Sequence, residues 1–85
     1  MTGQDIHITE RATAVLQRAT DAAVRFNPEA KIRLHMRGNV LDTSFSDIPE
    51  EGDQIVEHEG LTLFVSQEVA GTIDASEEHE RLVLK

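Results

Sequence analysis

The sequence of 85 residues contains no cysteine, no tryptophan and no tyrosine, and it has only two prolines. Without cysteine there can be no disulfide, no thiolate metal ligand and no thiol nucleophile. No apolar run approaches the roughly 18 residues that a membrane-spanning helix needs, and the first residues lack the basic and apolar regions of a secretory signal. These absences predict a cytoplasmic protein that is not bound to a membrane.

Aromatic residues are limited to three phenylalanines, Phe26, Phe45 and Phe64, each on an apolar face of the local pattern. This placement predicts that all three lie in the core, which leaves no aromatic platform for single-stranded nucleic acid. The five glycines are scattered singly, so no phosphate-cradling loop is present, and there is no G-x-S-x-G nucleophile motif. We therefore expect no enzymatic activity, no catalytic residue and no cofactor.

Acidic residues dominate, with sixteen Asp and Glu against eight Lys and Arg, and the formal net charge is −8. Such a charge favours solubility and disfavours nonspecific binding to nucleic acid or to anionic lipid. The charge is uneven, because residues 1–37 carry six Lys and Arg against four Asp and Glu, whereas residues 38–85 carry two against twelve. A mildly basic first part and an acidic second part can attract each other, within the fold or in a weak homo-oligomer.

One long helix is predicted over residues 9–27, because apolar side chains recur on a single helical face there. Thr9 is the expected N-cap, and Pro28 ends the helix by forcing Asn27 out of the helical conformation. Just before the helix, Ile6 and Ile8 flank a polar residue, which suggests a short strand or a hydrophobic staple.

Strands are predicted over most of the remaining sequence. Apolar and polar residues alternate from Ile32 to Phe45 around Gly38-Asn39, a pattern typical of a β-hairpin. Glu59-Gly60 has the composition of a second tight turn, and Ser66 is expected to begin a short helical turn through Ala70. The further strands are expected at Ile55–Val56, Leu61–Val65, Thr72–Ala75 and Arg81–Lys85. The predicted class is α+β, with a long N-terminal helix packed on a small mixed or antiparallel sheet, and residues 1–85 form a single domain.

Several segments, read in order, resemble the HesB-like family of A-type iron–sulfur cluster carriers (IscA-type). Residues 8–12 read ITERA, like the opening of that family's first helix, and residues 32–34 read IRL, like its LRL strand. Residues 52–57 with Gly60 resemble its GD-x-VVE turn and strand, and residues 71–74 resemble its G-x-x-ID segment. The resemblance covers most of Ile8 to Asp74 and implies a HesB-like fold.

The carriers of that family are known for three cysteines, one in a turn after the LRL strand and two in a Cys-Gly-Cys tail. Here the first position falls within Gly38–Leu41, which has no thiol, and no Cys-Gly-Cys follows before Lys85. Iron–sulfur clusters need thiolate ligands, in some cases with imidazole. The resemblance is therefore to a cysteine-free, divergent member of the family, and it does not imply what such a member does. Our hypothesis is a non-catalytic domain that acts through protein contacts, in a role accessory to iron–sulfur cluster biogenesis.

An alternative is a small metal-binding protein that uses histidine and carboxylate ligands. His35 and His58 fall in different predicted strands and could meet across a sheet, with Glu57 or Glu59 as a third ligand. The other two histidines, His7 and His79, have no partner at metal-ligand spacing. The main hypothesis assigns no metal ligands.

Two charged surfaces are the predicted protein contacts. Arg11, Arg18 and Arg25 are spaced by seven residues and lie along one side of the helix, a surface that we name the arginine stripe. The acidic rim is the set Glu50, Glu51, Asp53, Glu57 and Glu59. Attraction between the two surfaces would give weak, salt-sensitive self-association, and the sequence does not identify a protein partner.

Overall fold

The structure, a computed structural model, describes residues 6–76 and 81–85. Within these ranges the chain forms one helix and seven strands: β1 (Ile6–Ile8), α1 (Glu10–Val24), β2 (Lys31–Arg37), β3 (Val40–Ser46), β4 (Gln54–His58), β5 (Leu61–Val65), β6 (Gly71–Ser76) and β7 (Arg81–Leu84). The strands make two mixed sheets, with the orders β1-β6-β7 and β3-β2-β5-β4. The sequence predicted the helix and the strands, but it predicted one sheet where there are two.

Thr9 is the N-cap of helix α1, as predicted, and the first helical residue is Glu10. The Thr9 side chain accepts a hydrogen bond from the Ala12 N–H at 3.1 Å, which satisfies one of the free amides of the first turn. The helix ends at Val24 rather than at Asn27. The amides of Phe26 and Asn27 both donate to the Ala23 carbonyl, so the chain tightens into a turn before Pro28 is reached. None of the helical structure within the described ranges is long and apolar enough to cross a membrane.

Two tight turns connect the predicted hairpins. Strands β2 and β3 pair antiparallel from Lys31 with Ser46 to Arg37 with Val40. Strands β4 and β5 also pair antiparallel, and both residues of their turn, Glu59 and Gly60, have positive φ. Positive φ at both positions is the geometry of a two-residue hairpin turn. Both predicted hairpins are confirmed.

The strand order within the larger sheet depends on a parallel pairing. Strand β5 pairs parallel with β2, so it lies between β2 and β4. In the smaller sheet β1 pairs parallel with β6, and β6 pairs antiparallel with β7. The helical turn predicted after Ser66 is instead a hydrogen-bonded turn, in which the Val69 N–H donates to the Ser66 carbonyl at 3.0 Å.

Helix α1 packs against strands of both sheets, and the core lies between them. Its largest fully buried side chains include Leu16 of the helix, Ile32 and Leu34 of β2, Leu63 of β5 and Ile73 of β6. Leu16 lies on the apolar face predicted for the helix, and the strand residues are the inward members of the alternating patterns. Burial therefore follows the predicted periodicity.

The prediction that all three phenylalanines are core residues is wrong for two of them. Phe64 is 4% exposed, whereas Phe45 is 54% and Phe26 is 91% exposed. Phe26 follows the end of α1 and so leaves the buried helical face. Phe45 shares a face with the core residue Leu41, but it lies near the far end of β3, an edge strand of the larger sheet among the described strands.

Candidate functional site

Two of the segments that resemble the HesB-like family meet at the start of α1. The Asp74 carboxylate accepts hydrogen bonds from the Thr9 hydroxyl at 2.7 Å and from the Ala75 N–H at 2.8 Å. It also forms ion pairs with Lys85 at 2.8 Å and with Arg11 at 3.5 Å. Thr9 therefore both caps the helix and ties it to strand β6. The side chain of Asp74 is only 6% exposed, so this cluster joins the helix to the smaller sheet.

These contacts lower the pKa of Asp74 well below its ordinary value of 3.8, because hydrogen bonds from Lys85, Thr9 and the Ala75 amide favour the charged form. A lowered pKa contributes stability that is present above the unfolded-state pKa and is lost as the pH falls from there toward the folded-state pKa. The carboxylate therefore helps to hold the fold at neutral pH and ceases to do so in acid.

We expect Asp74→Asn to lower the urea midpoint at pH 7 and to flatten the loss of stability between about pH 4 and pH 2. Unfolding followed by circular dichroism at a series of pH values measures both effects. Glu51→Gln, at an exposed carboxylate, is the control and should keep the wild-type pH dependence. A variant at Asp74 with an unchanged acid slope would contradict the assignment.

Two other such segments meet on the outer face of the larger sheet, the face turned away from α1. Arg33 of β2 binds Asp53 through two parallel hydrogen bonds, Nε to Oδ2 at 2.8 Å and Nη2 to Oδ1 at 3.0 Å. The Glu50 amide donates to Asp53 Oδ2 at 2.9 Å, and the Glu50 carboxylate lies 3.6 Å from Arg33. The hydrogen bonds from Arg33 lower the pKa of Asp53, and Asp53 in turn raises the pKa of Arg33.

The turn that corresponds to the family's first cysteine position offers few metal ligands. Gly38 and Asn39 connect β2 to β3, and the Arg37 Nη2 and Asp42 Oδ2 atoms are 3.2 Å apart in an ion pair across the two strands. The donors beside this turn are the Asn39 amide, the Asp42 carboxylate, which is already paired, and the imidazole of His35, the register partner of Asp42; the sequence has no thiol to add. The residues present do not fit an iron–sulfur cluster.

The two histidines proposed as alternative metal ligands do not meet. Strand β5 separates the strands that carry His35 and His58. His58 Nε2 lies 2.8 Å from the Thr13 hydroxyl on the helix side of the sheet, whereas His35 alternates with the inward Leu34 and shares the outer face with Arg33. The alternative in which they meet across a sheet is therefore wrong.

No group of three His, Cys, Asp or Glu side chains among the described residues is placed to hold a metal ion. Glu57 instead accepts from the Thr62 hydroxyl at 3.2 Å, and Glu59 lies in the β4–β5 turn. His7 is exposed on β1, and His79 lies outside the described residues.

The arginine stripe and the acidic rim are each divided by the fold. Arg11 is bound to Asp74 within the chain, while Arg18 and Arg25 lie at exposed positions of the helix flank. In the rim, the side chain of Asp53 is 2% exposed and committed to Arg33. Glu50 and Glu51 precede β4 and Glu59 follows it. They therefore lie at opposite ends of a five-residue strand that is about 16 Å long. The exposed charges thus form separate groups.

A groove of about 470 Å³ runs between one flank of α1 and strands β3 and β7. Apolar side chains, among them Val15, Ala19, Leu41 and Phe45, share its walls with the polar side chains of Arg37, Asp42, Thr43 and Arg81. A second depression, of about 330 Å³, shares Phe45 and continues past Ala23 and Phe26 to Asp47. Because Arg18 follows Val15 by three residues, it borders the groove side of the helix. Sequence reasoning missed this groove, because it depends on how β7 approaches β3.

Comparison with known proteins bears on the fold. No protein-family model matches the sequence, and no curated protein matches it. The structure is similar to the crystal structure of SufA from Escherichia coli, a protein involved in the biosynthesis of iron–sulfur clusters, with a TM-score of 0.64 and 19% sequence identity. The similarity covers 100% of this chain and 86% of SufA. At this identity it establishes a common architecture, so the chain has a SufA-like, HesB-like fold.

Proposed function

We propose that this chain is a non-catalytic, single HesB-like domain that acts through protein contacts, in an accessory role related to iron–sulfur cluster biogenesis. The observation that carries the proposal is the SufA-like fold over the full chain, combined with a sequence that has no cysteine. The chain has the fold of SufA but lacks the cysteines with which a carrier would bind a cluster.

Two side-chain contacts within the chain stabilise the fold without a cluster. The Thr9–Asp74 contact joins α1 to the smaller sheet, and the Arg33–Asp53 pair joins β2 to the loop before β4. Both contacts are formed by residues of the segments that resemble the family. This supports the view that those segments are kept for the scaffold, and that the scaffold presents a surface to other proteins.

Exposed charge of both signs supports a role in protein contact. Arg18 and Arg25 lie on the flank of α1, and Glu50 and Glu51 lie in the loop between β3 and β4. Charged groups at a contact surface raise association rates and select partners by complementarity more than they add affinity. A partner would therefore bind in a salt-dependent manner.

The first test is anaerobic reconstitution with ferrous iron and sulfide. We expect no charge-transfer absorption in the visible range and no stoichiometric iron or sulfide after desalting, because the chain has no thiolate to offer. A coloured protein with iron and sulfide in stoichiometric amounts would overturn the proposal.

The accessory role needs a second measurement. Cluster transfer from a loaded A-type carrier to an apo-ferredoxin should change in rate when the chain is added in equimolar amount. The double variant Arg18→Glu with Arg25→Glu should lose this effect. Glu68→Gln, which changes an exposed charge outside the arginine stripe and the acidic rim, should keep it. An unchanged rate, together with no calorimetric binding to the carrier or to the ferredoxin, would count against the accessory role.

A further inference from the structure

Strand β4 is an open edge of the larger sheet. Its one neighbour among the described strands is β5, whereas β3, the strand at the other edge, lies against β7. Natural proteins protect such edges with proline, lysine or a β-bulge. The segment Gln54–His58 has no proline and no lysine, and it pairs with β5 residue by residue without a bulge. The edge of β4 is therefore able to accept another strand.

The hairpin turn decides which backbone groups of β4 face the open side. The residues on either side of a two-residue turn form a hydrogen-bonded pair, so His58 and, two residues earlier, Val56 direct their backbone groups toward β5. The alternate residues, Ile55 and Glu57, therefore direct their N–H and C=O groups away from β5. An added strand binds an edge through such groups.

The side chains along this edge determine what the added strand must carry. Ile55, which is 56% exposed, and Glu57 lie on the outer face of the sheet. On the helix side, a depression of about 300 Å³ lies between the end of β4 and the start of α1. Glu10, His58 and Glu59 line this depression, and none of its lining residues is lysine or arginine. The edge thus favours an apolar side chain at one position and basic side chains at the next ones.

We propose that the open edge of β4 binds an extended, basic segment of a partner protein as an additional antiparallel strand. An apolar residue of the segment lies opposite Ile55, and a basic residue lies opposite Glu57. A second basic residue, opposite His58, extends through the depression toward Glu10 and Glu59. The antiparallel direction is the commoner and slightly more stable pairing. The proposal rests on the proposed role in protein contact and specifies the chemistry of the partner.

Charge favours a basic partner over a second copy of the chain. The formal net charge of the chain is −8, so two copies repel each other. A second β4 would bring its own Glu57 to this acidic edge, and the strand contains no lysine or arginine to pair with it. A basic segment supplies the opposite charge and leaves the backbone pairing unchanged.

Fluorescence anisotropy with a labelled peptide tests the strand addition. The probe reads Ser-Lys-Lys-Thr-Ile-Thr-Val-Ser, so that its lysines face His58 and Glu57 and its isoleucine faces Ile55. We expect saturable binding to the full chain at low salt, and weaker binding as salt is added, because screening reduces the ionic attraction. The same peptide with glutamate in place of both lysines should bind at least about tenfold more weakly.

N-methylation of the peptide backbone distinguishes an added strand from charge attraction alone. A methyl group on the amide of the peptide's isoleucine removes an N–H that donates to β4, so binding should weaken at least about tenfold. A methyl group on the amide of the preceding threonine is the matched control. That amide points away from β4, so binding should stay close to that of the unmodified peptide.

Charge reversal in the chain tests the site itself. Glu57→Lys should weaken binding of the basic peptide at least about tenfold, because like charges then lie opposite each other, and it should strengthen binding of the glutamate peptide. Asp47→Lys makes the same change of charge in the exposed loop after β3, the other edge strand, and should leave the binding of both peptides almost unchanged. Circular dichroism melting curves should show that both variants are folded.

The outcomes are distinct. Absence of binding at about 1 mM peptide, an affinity too weak for a specific contact, would overturn the proposal. Equal effects of the two methyl groups, or of Glu57→Lys and Asp47→Lys, would also overturn it. So would a wild-type dimer in sedimentation that Ile55→Pro dissociates, because a second copy would then occupy this edge. All of these results leave the proposed function in place, whereas cluster formation on reconstitution would overturn the proposed function and not the strand addition.

Discussion

Asp53→Ala should destabilise the protein by about 3 kcal/mol, the lower end of the range for removing one partner of a buried ion pair. The side chains of Arg33 and Asp53 are 15% and 2% exposed and share two hydrogen bonds. Without the carboxylate, the guanidinium stays on the sheet face and loses both of these hydrogen bonds, while the Glu50 carboxylate lies 3.6 Å away and the Glu50 amide loses its acceptor. For a chain of this length, with a stability on the order of 5 kcal/mol, the loss is more than half.

Urea unfolding monitored by circular dichroism measures this loss, and the chain provides a matched control. Arg37 and Asp42 form a similar pair at 3.2 Å, but the Arg37 side chain is 82% exposed. Asp42→Ala should leave the unfolding midpoint close to that of the wild type, because exposed ion pairs contribute little. Equal stability of the two alanine variants would show that the Arg33–Asp53 pair contributes no more to the fold than an exposed ion pair does.

The two ion-pair clusters join four of the short segments that resemble the HesB-like family. In the sequence, Thr9 and Asp74 are 65 residues apart, and Arg33 and Asp53 are 20 apart. Periodicity predicted the helix and the strands that carry these residues, since it reports which face of an element is apolar. It could not predict the partners, because long-range pairing is set by the order of strands in the sheets.

The same limit explains the missed second sheet and the histidine error. Alternation predicted the β2–β3 hairpin correctly, because its partners are adjacent in sequence and joined by a tight turn. The parallel pairings of β1 with β6 and of β2 with β5 connect distant segments, and no local pattern specifies them. Without the position of β5 between β2 and β4, the sequence left open whether His35 and His58 meet across a sheet.

The phenylalanines were misplaced for a related reason. A residue type and a local period show that a side chain can be buried, but not whether another element covers it. Phe64 alternates with the inward residues Leu63 and Val65, so it points to the outer face of the larger sheet, and it is nonetheless buried. Its register neighbours are Arg33 on β2 and Ile55 on β4, which places it beside the ion pair with Asp53.

We therefore expect the same substitution to have very different effects at two phenylalanines. Phe64→Ala should cost about 3 kcal/mol or more, the usual loss for a buried phenylalanine, because it removes apolar burial and leaves a cavity beside Arg33. Phe26→Ala should change the free energy of unfolding by no more than about 0.5 kcal/mol, because its side chain is 91% exposed. Urea unfolding at low protein concentration, where self-association is minimal, compares the two variants with the wild type. Similar losses at both positions would mean that Phe26 is covered in solution, whereas a stable Phe64→Ala variant would mean that the outer face of the sheet contributes little to the core.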